Sequence, residues 1–371
     1  MKTLLALAAV AAFHFFGLVD SAAAQGAPVK IGVLYPTKTL NGKQSMQGAA
    51  IAAEMLNASG GILKGRRVQL IGYDTNLSPV EGVAAVQRLI DQDNAKLIAG
   101  ELGSSVALAV VPVVKAEGAL FVAAAPKHPD VTRSGYDRVF RLNSTTAMDA
   151  AAFDPLLKSK APAGKKVALI AENNDYGHLT TESFRKLFGS QVVFSELFAL
   201  TQTDFSSLVS NLKQANPDLV CIASSNVEQW SNILRTMTDL KVAGQRCIYP
   251  GLLSSEGVRL AGKAAEGVFS ADIYTADLDN EINRKFVSAY TAKYGKRPEK
   301  LEALGFESVW IIANAADRAA TADDPVKIAA AIRSGSWSTP RGTVKFDPQG
   351  QGTTEGLMKL EVRDGMVVQV K

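Results

Sequence analysis

The chain has 371 residues, with 40 lysines and arginines against 36 aspartates and glutamates and a formal net charge of +4 at pH 7. A balance this mild, with short basic runs such as Arg66-Arg67 and Lys165-Lys166 and no interleaved aromatics, excludes a nucleic-acid surface. Three histidines and two cysteines leave little material for a metal centre.

Lys2 precedes an apolar run from Leu4 to Val19, and Ala22-Ala23-Ala24 supplies the small residues a signal peptidase needs. This predicts a signal peptide over residues 1–24, cleaved after Ala24, and an exported soluble protein. No cysteine near that site offers a lipid anchor. The roughly 345 residues that follow exceed one core, so two lobes are expected.

Val29–Tyr35 and Arg67–Asp74 read as strands, with a helix from Met46 to Leu56 between them. Ser78-Pro79 opens a helix running to about Gln92. A short apolar strand ends at Gly100, a helix opens at Ser104 or Ser105, and Ala119–Val122 is the next strand. Further strands are expected at 166–171, 192–200, 218–223 and 246–249, with helices starting near Asp175, Thr203 and Val227. Helices at 280–294, 301–320 and 324–334 follow, then antiparallel strands with turns at Asp347-Pro348 and Asp364-Gly365. The alternation predicts an α/β fold of parallel sheets flanked by helices.

The turn from Gly100 to Ser105 carries the main functional signal. Glycines permit a tight turn, and serine hydroxyls beside the free N–H groups of a helix start make a site for a small anion, at the carboxyl end of a strand where α/β proteins bind ligands. The same pattern also describes a plain helix cap.

Catalytic patterns are missing. His128 and His178 are far apart, no Gly-x-Ser-x-Gly elbow occurs, and Gly32-Val33-Leu34 fails the dinucleotide fingerprint. Gly257–Ala264 approaches a phosphate loop but lacks its final Ser or Thr, and Asp323-Asp324 looks like a solvated helix start. No enzyme, metal or cofactor is predicted. Cys221 and Cys247 each lie in an apolar strand-like run, which suits buried free thiols, while an oxidising compartment would permit a disulfide.

Several segments in order carry a resemblance: Asn57-Ala58-Ser59-Gly60-Gly61-Ile62, Gly100 to Ser105, Pro129 to Tyr136, Asp175-Tyr176-Gly177 and Asp204-Phe205-Ser206. Across the mature chain the sequence resembles the periplasmic substrate-binding proteins of ABC importers, most closely the branched-chain amino-acid-binding type. The resemblance implies a monomer of two Rossmann-like lobes joined by a three-strand hinge, with crossings near Ser144, Tyr274 and Gly352. Lobe one would hold 25–143 plus 275–351, and lobe two 144–274 plus 352–371. It implies a periplasmic location, a small-molecule ligand (an amino acid or organic carboxylate) and an inner-membrane ABC permease as partner. A sensory module presenting its closed form to a receptor is the alternative.

By the same resemblance, Ser104 and Ser105 match the groups that hold a ligand carboxylate, Ala125 a backbone contact, Tyr176 the aromatic that closes from lobe two, and Asn226 a cleft residue there. Lys127 stands where the amino-acid binders usually carry threonine, either facing an acidic ligand group or solvated. Gly251-Leu252-Leu253 stands where those binders present a glutamate for the ligand ammonium. Glu101 or Asp272 would have to replace it, or the ligand lacks an α-amino group.

Overall fold

The computed structural model describes residues 26–353 and 356–370, so the expected signal peptide lies outside the described residues. The chain opens with β1 (Val29–Tyr35), α1 (Leu40–Ala58), β2 (Val68–Asp74), α2 (Pro79–Asp91), β3 (Leu97–Gly100), α3 (Ser104–Ala116), β4 (Leu120–Ala123) and β5 (Val139–Arg141). These strands form a parallel sheet in the order β2-β1-β3-β4-β5.

Next come α4 (Thr146–Lys160), β6 (Val167–Glu172), α5 (Asp175–Phe188), β7 (Val192–Phe198), α6 (Ser206–Ala215), β8 (Leu219–Ala223), α7 (Val227–Asp239), β9 (Gln245–Ile248), α8 (Ser255–Ala261) and β10 (Phe269–Asp272). The helices α9 (Glu281–Tyr294), α10 (Lys300–Arg318) and α11 (Pro325–Ser334) precede a hairpin, β11 (Trp337–Thr339) and β12 (Gly342–Val344), and the closing pair β13 (Met358–Arg363) and β14 (Met366–Val370). The second sheet runs β14-β13-β10-β9-β8-β6-β7. It is parallel from β10 to β7, and the β13–β14 hairpin adds to its edge antiparallel.

The central strands read as continuous apolar runs because helices cover both faces of such sheets. Every residue of β3, β4, β6 and β8 is buried. The helices α9 to α11 return to the first sheet, where Phe286, Leu304, Ile312 and Trp337 join its core, while Phe153, Phe198 and Trp230 centre a separate core on the second. The return is tight. A Cβ on Gly48 would lie 1.9 Å from the Glu302 carbonyl oxygen, so α1 and α10 meet backbone to backbone.

Where the chain leaves the first sheet it is cross-tied. Arg141 Nε donates to Gln351 Oε1 at 2.7 Å, and Gln351 Nε2 donates to the Asn143 carbonyl at 2.9 Å. Behind this tie Arg341 and Glu307 form a buried pair with Nε–Oε2 at 2.9 Å; Thr339 Oγ1 donates to the same carboxylate, and Arg341 Nη2 donates to the Leu142 carbonyl.

Three departures from expectation have physical causes. The helix α1 begins at Leu40 rather than Met46, capped by the Thr39 hydroxyl; Asn41, Gln44 and Ser45 break the apolar spacing yet are buried. The elements α4, α8, β5 and β10 were not expected: β5 is three residues long, and β10 buries Ser270 and Asp272, so neither reads as an apolar run. Cys221 and Cys247 are register partners on β8 and β9, with Cα atoms 4.5 Å apart, and form a disulfide. Among the described residues no helix is long and apolar enough to cross a membrane.

Candidate functional site

The first wall of the site is the β3–α3 turn. Gly100 has φ +120°, and a Cβ there would lie 2.3 Å from the Leu34 carbonyl oxygen, so only glycine fits. Glu101 follows at φ +63° and is buried. Its Oε1 accepts the N–H groups of Leu102 and Gly103 at 2.8 and 2.9 Å, and its Oε2 accepts the Thr75 hydroxyl at 2.7 Å. Burial pushes its carboxyl up to about 7 in spite of those donors.

This carboxylate fixes the loop but stops short of the helix. The helices α1, α2, α4, α5 and α7 are capped by the side chains of Thr39, Ser78, Thr145, Asn174 and Asn226. The helix α3 has Gly103 at its cap position and no side-chain cap bond among the described residues. Its first N–H groups, with their partial positive charge, therefore have no side-chain acceptor. Ser104 Oγ accepts the N–H groups of Lys127 and His128 at 3.1 and 3.2 Å, which leaves the hydroxyl proton to donate elsewhere.

The opposing wall comes from the carboxyl ends of β6 and β8. Tyr176, in the first turn of α5, is 7 % exposed, and its hydroxyl has no hydrogen-bond partner among the described residues. Glu172 ends β6; its carboxylate accepts the Ser225 N–H at 2.7 Å, the Ser225 hydroxyl and the Asn174 amide. Burial raises this carboxyl as well. Ser104, Ala125, Lys127 and Asn143 face Glu172, Tyr176 and Ser225 across one cavity, and Leu252, Lys300 and Leu301 line it too. The cavity holds about 30 Å³, room for two or three waters.

The walls also touch directly. Asn41 Nδ2 donates to the Ser225 carbonyl at 2.5 Å, the Asp175 N–H to Ser105 Oγ at 3.2 Å, and the Ser255 N–H to Glu299 Oε1 at 2.7 Å. The buried Lys127 ammonium adds to them, meeting Asp149 and the Pro250 carbonyl.

Of the residues expected in the site, Ser104, Ala125, Lys127 and Tyr176 come together at the cavity, and Ser105 and Asn226 do not line it. The Ser105 hydroxyl is held by the Asp175 N–H, and Asn226 Oδ1 caps α7 through the N–H groups of Glu228 and Gln229. Lys127 is not solvated: it is buried at the cavity, its ammonium paired with Asp149 and donating to the Pro250 carbonyl at 2.7 Å. Ala125 offers its carbonyl to Asn143 Nδ2 at 2.7 Å. Glu101, one expected stand-in for the absent glutamate, lies behind the turn with Thr75, and Asp272 lines a neighbouring cavity.

Sequence reasoning missed Asn143, Glu172, Ser225 and Lys300. Glu172 and Ser225 follow the rule that ligands meet the carboxyl ends of parallel strands, so that signal was present. Lys300 opens a helix far along the chain, and only the return of α10 to the first sheet brings it here. Among the described residues no group of three or more His, Cys, Asp or Glu could hold a metal.

Comparison with known proteins bears on the family and the fold. The family described as "Periplasmic binding protein" matches residues 28–366. A leucine-, isoleucine-, valine-, threonine- and alanine-binding protein of Pseudomonas aeruginosa is 26% identical over 83% of this chain and 82% of its own. Among solved structures, a leucine binding protein from Thermotoga maritima superposes with TM-score 0.80 at 25% identity, over 92% of this chain and 98% of that one. A solute binding protein of an R. palustris ABC transporter, in complex with benzoate, superposes with TM-score 0.84 at 21% identity, over 92% and 95%.

Proposed function

Because the chain belongs to the periplasmic binding protein family, a non-enzymatic family of extracytoplasmic solute-binding proteins, we propose that it captures a small carboxylate between two lobes and hands it to an ABC permease. The observation that carries this reading is the uncapped start of α3, with the Ser104 proton free, facing the unpartnered Tyr176 hydroxyl. An anion placed there accepts from the helix N–H groups and both hydroxyls, and no protein group has to be displaced. Relatives named for leucine and a neighbour holding benzoate share one chemical feature, the carboxylate.

The lobes in this reading are 25–143 plus 275–351 and 144–274 plus 352–371, each built on one sheet, with the hinge at Ser144, Tyr274 and Gly352. A cavity of about 30 Å³ is too small to admit an amino acid as the walls stand, so loading requires them to part. Closure then follows from contacts that only the closed arrangement offers, those of Tyr176 among them. The closed form presents both lobes to the permease, whose ATPase supplies the energy.

A thermal-shift screen of the mature protein tests the reading, with amino acids, aliphatic and aromatic carboxylates and short amides. A ligand at a hundred times its Kd adds about 2.7 kcal/mol of stability. A shift with one or more carboxylates, lost in Ser104→Ala, is expected. A shift confined to compounds without a carboxylate contradicts the reading.

A further inference from the structure

Lys300 sits at the first position of α10, is 3 % exposed, and lines the cavity shared by Ser104 and Tyr176. Among the described residues no carboxylate oxygen lies within 4.0 Å of its ammonium and no hydrogen bond is made by it, in contrast to the buried Lys127 and Arg341. Burial pulls the ammonium down to about 8 in spite of the opposing charge of Asp272. A buried cation left in this way is costly unless something pairs it.

The position of this ammonium is informative. A Cβ on Gly251 would lie 2.1 Å from Lys300 Nζ, and Gly251 has φ +76°. Glycine at 251 thus makes the room that the lysine head occupies. The lysine also borders the neighbouring cavity, which Gly251, Asp272, Glu299 and Glu302 line with it. The acid of the cavity shared with Ser104, Glu172, already accepts from Ser225 and Asn174.

We propose that the solute carries a second acidic group away from the α3 turn and that Lys300 receives it, so that this protein binds a small dicarboxylate in preference to a branched-chain amino acid. The inference rests on the reading that the α3 turn holds the first carboxylate. One acid group then meets the helix start and Ser104, and the other pairs with the buried ammonium, with Leu252 and Leu301 flanking the carbon chain between them.

Isothermal titration of the mature protein with succinate, glutarate, L-glutamate, L-leucine and benzoate tests it, using the natural chain, Lys300→Met and Lys300→Gln, each checked for an unchanged thermal transition without ligand. The expected result is that a dicarboxylate or L-glutamate binds the natural chain at least about ten-fold more tightly than leucine or benzoate, and that both variants lose about ten- to hundred-fold for that compound, as for a hydrogen bond to a charged group. Leucine or benzoate binding most tightly, or a dicarboxylate binding equally to the natural chain and a folded variant, overturns the inference and leaves the carboxylate-binding reading intact. No binding by any of the five overturns both.

Discussion

Two buried polar regions of this molecule are built to opposite ends. Beside the end of β5, the Arg341–Glu307 pair is closed on itself: the guanidinium also reaches the Leu142 carbonyl, and Thr339 donates to the carboxylate. At the cavity, the α3 start, the Tyr176 hydroxyl and the ammonium of the buried Lys300 have no comparable partners among the described residues. Removing a partner from a satisfied network exposes a desolvated charge, whereas removing an unsatisfied group relieves one. The first region is closed within the protein, and the second keeps free donors where the proposed ligand would sit.

The largest effect should come from breaking the closed region. Glu307→Leu leaves Arg341 buried and unpaired and should cost about 3–5 kcal/mol, read as a fall in the urea midpoint without a change in slope. A loss below about 1 kcal/mol would mean that the pair contributes little and that the contrast is false.

A second effect lies at the boundary between the two regions. Glu101 fixes the α3 turn, and burial raises its carboxyl from 4.5 to about 7. A carboxyl raised in the folded state binds its proton more tightly there than when unfolded, so its contribution is full below about pH 4.5 and is lost as pH rises through 7. That loss is on the order of 3 kcal/mol. Glu101→Gln, which keeps an oxygen for the Leu102 and Gly103 N–H groups, should flatten this slope and be the more stable form at pH 8. Parallel stability–pH curves for the two proteins would show that Glu101 is not the group responsible.

The smallest effect on stability should occur in the cleft itself. Tyr176→Phe removes a hydroxyl with no hydrogen-bond partner among the described residues and should change the unfolding free energy of the ligand-free protein by less than about 1 kcal/mol, in either direction, while weakening ligand affinity about ten-fold or more. A variant that loses stability but binds as before would place Tyr176 in the core rather than the site.

How much of this was legible in the sequence follows from range. Most strands, most helices and the α3 turn are local patterns of apolar runs, caps and glycines, and these read correctly; β5 and β10, which lack an apolar run, did not. The four residues Ser104, Ala125, Lys127 and Tyr176 reach one cavity because each sits at the carboxyl end of a strand or the start of the following helix, where topology alone places them. The role of Lys127 was not legible, since its partners Asp149 and Pro250 belong to other segments. Asn226 was displaced from the cavity by a local competitor, its own helix cap, and the neighbouring Ser225 faces the cavity in its place. Lys300 was invisible for a third reason: nothing near it in the sequence shows that α10 returns across the molecule to α1.

The most direct test of the account is a crystal structure of the mature protein with the panel compound that stabilises it most. The account predicts a carboxylate within about 3.2 Å of the Ser104 N–H or hydroxyl, with a ligand oxygen in the same reach of the Tyr176 hydroxyl. A ligand seated elsewhere, or in the cleft with its carboxylate turned away from the start of α3, would contradict it.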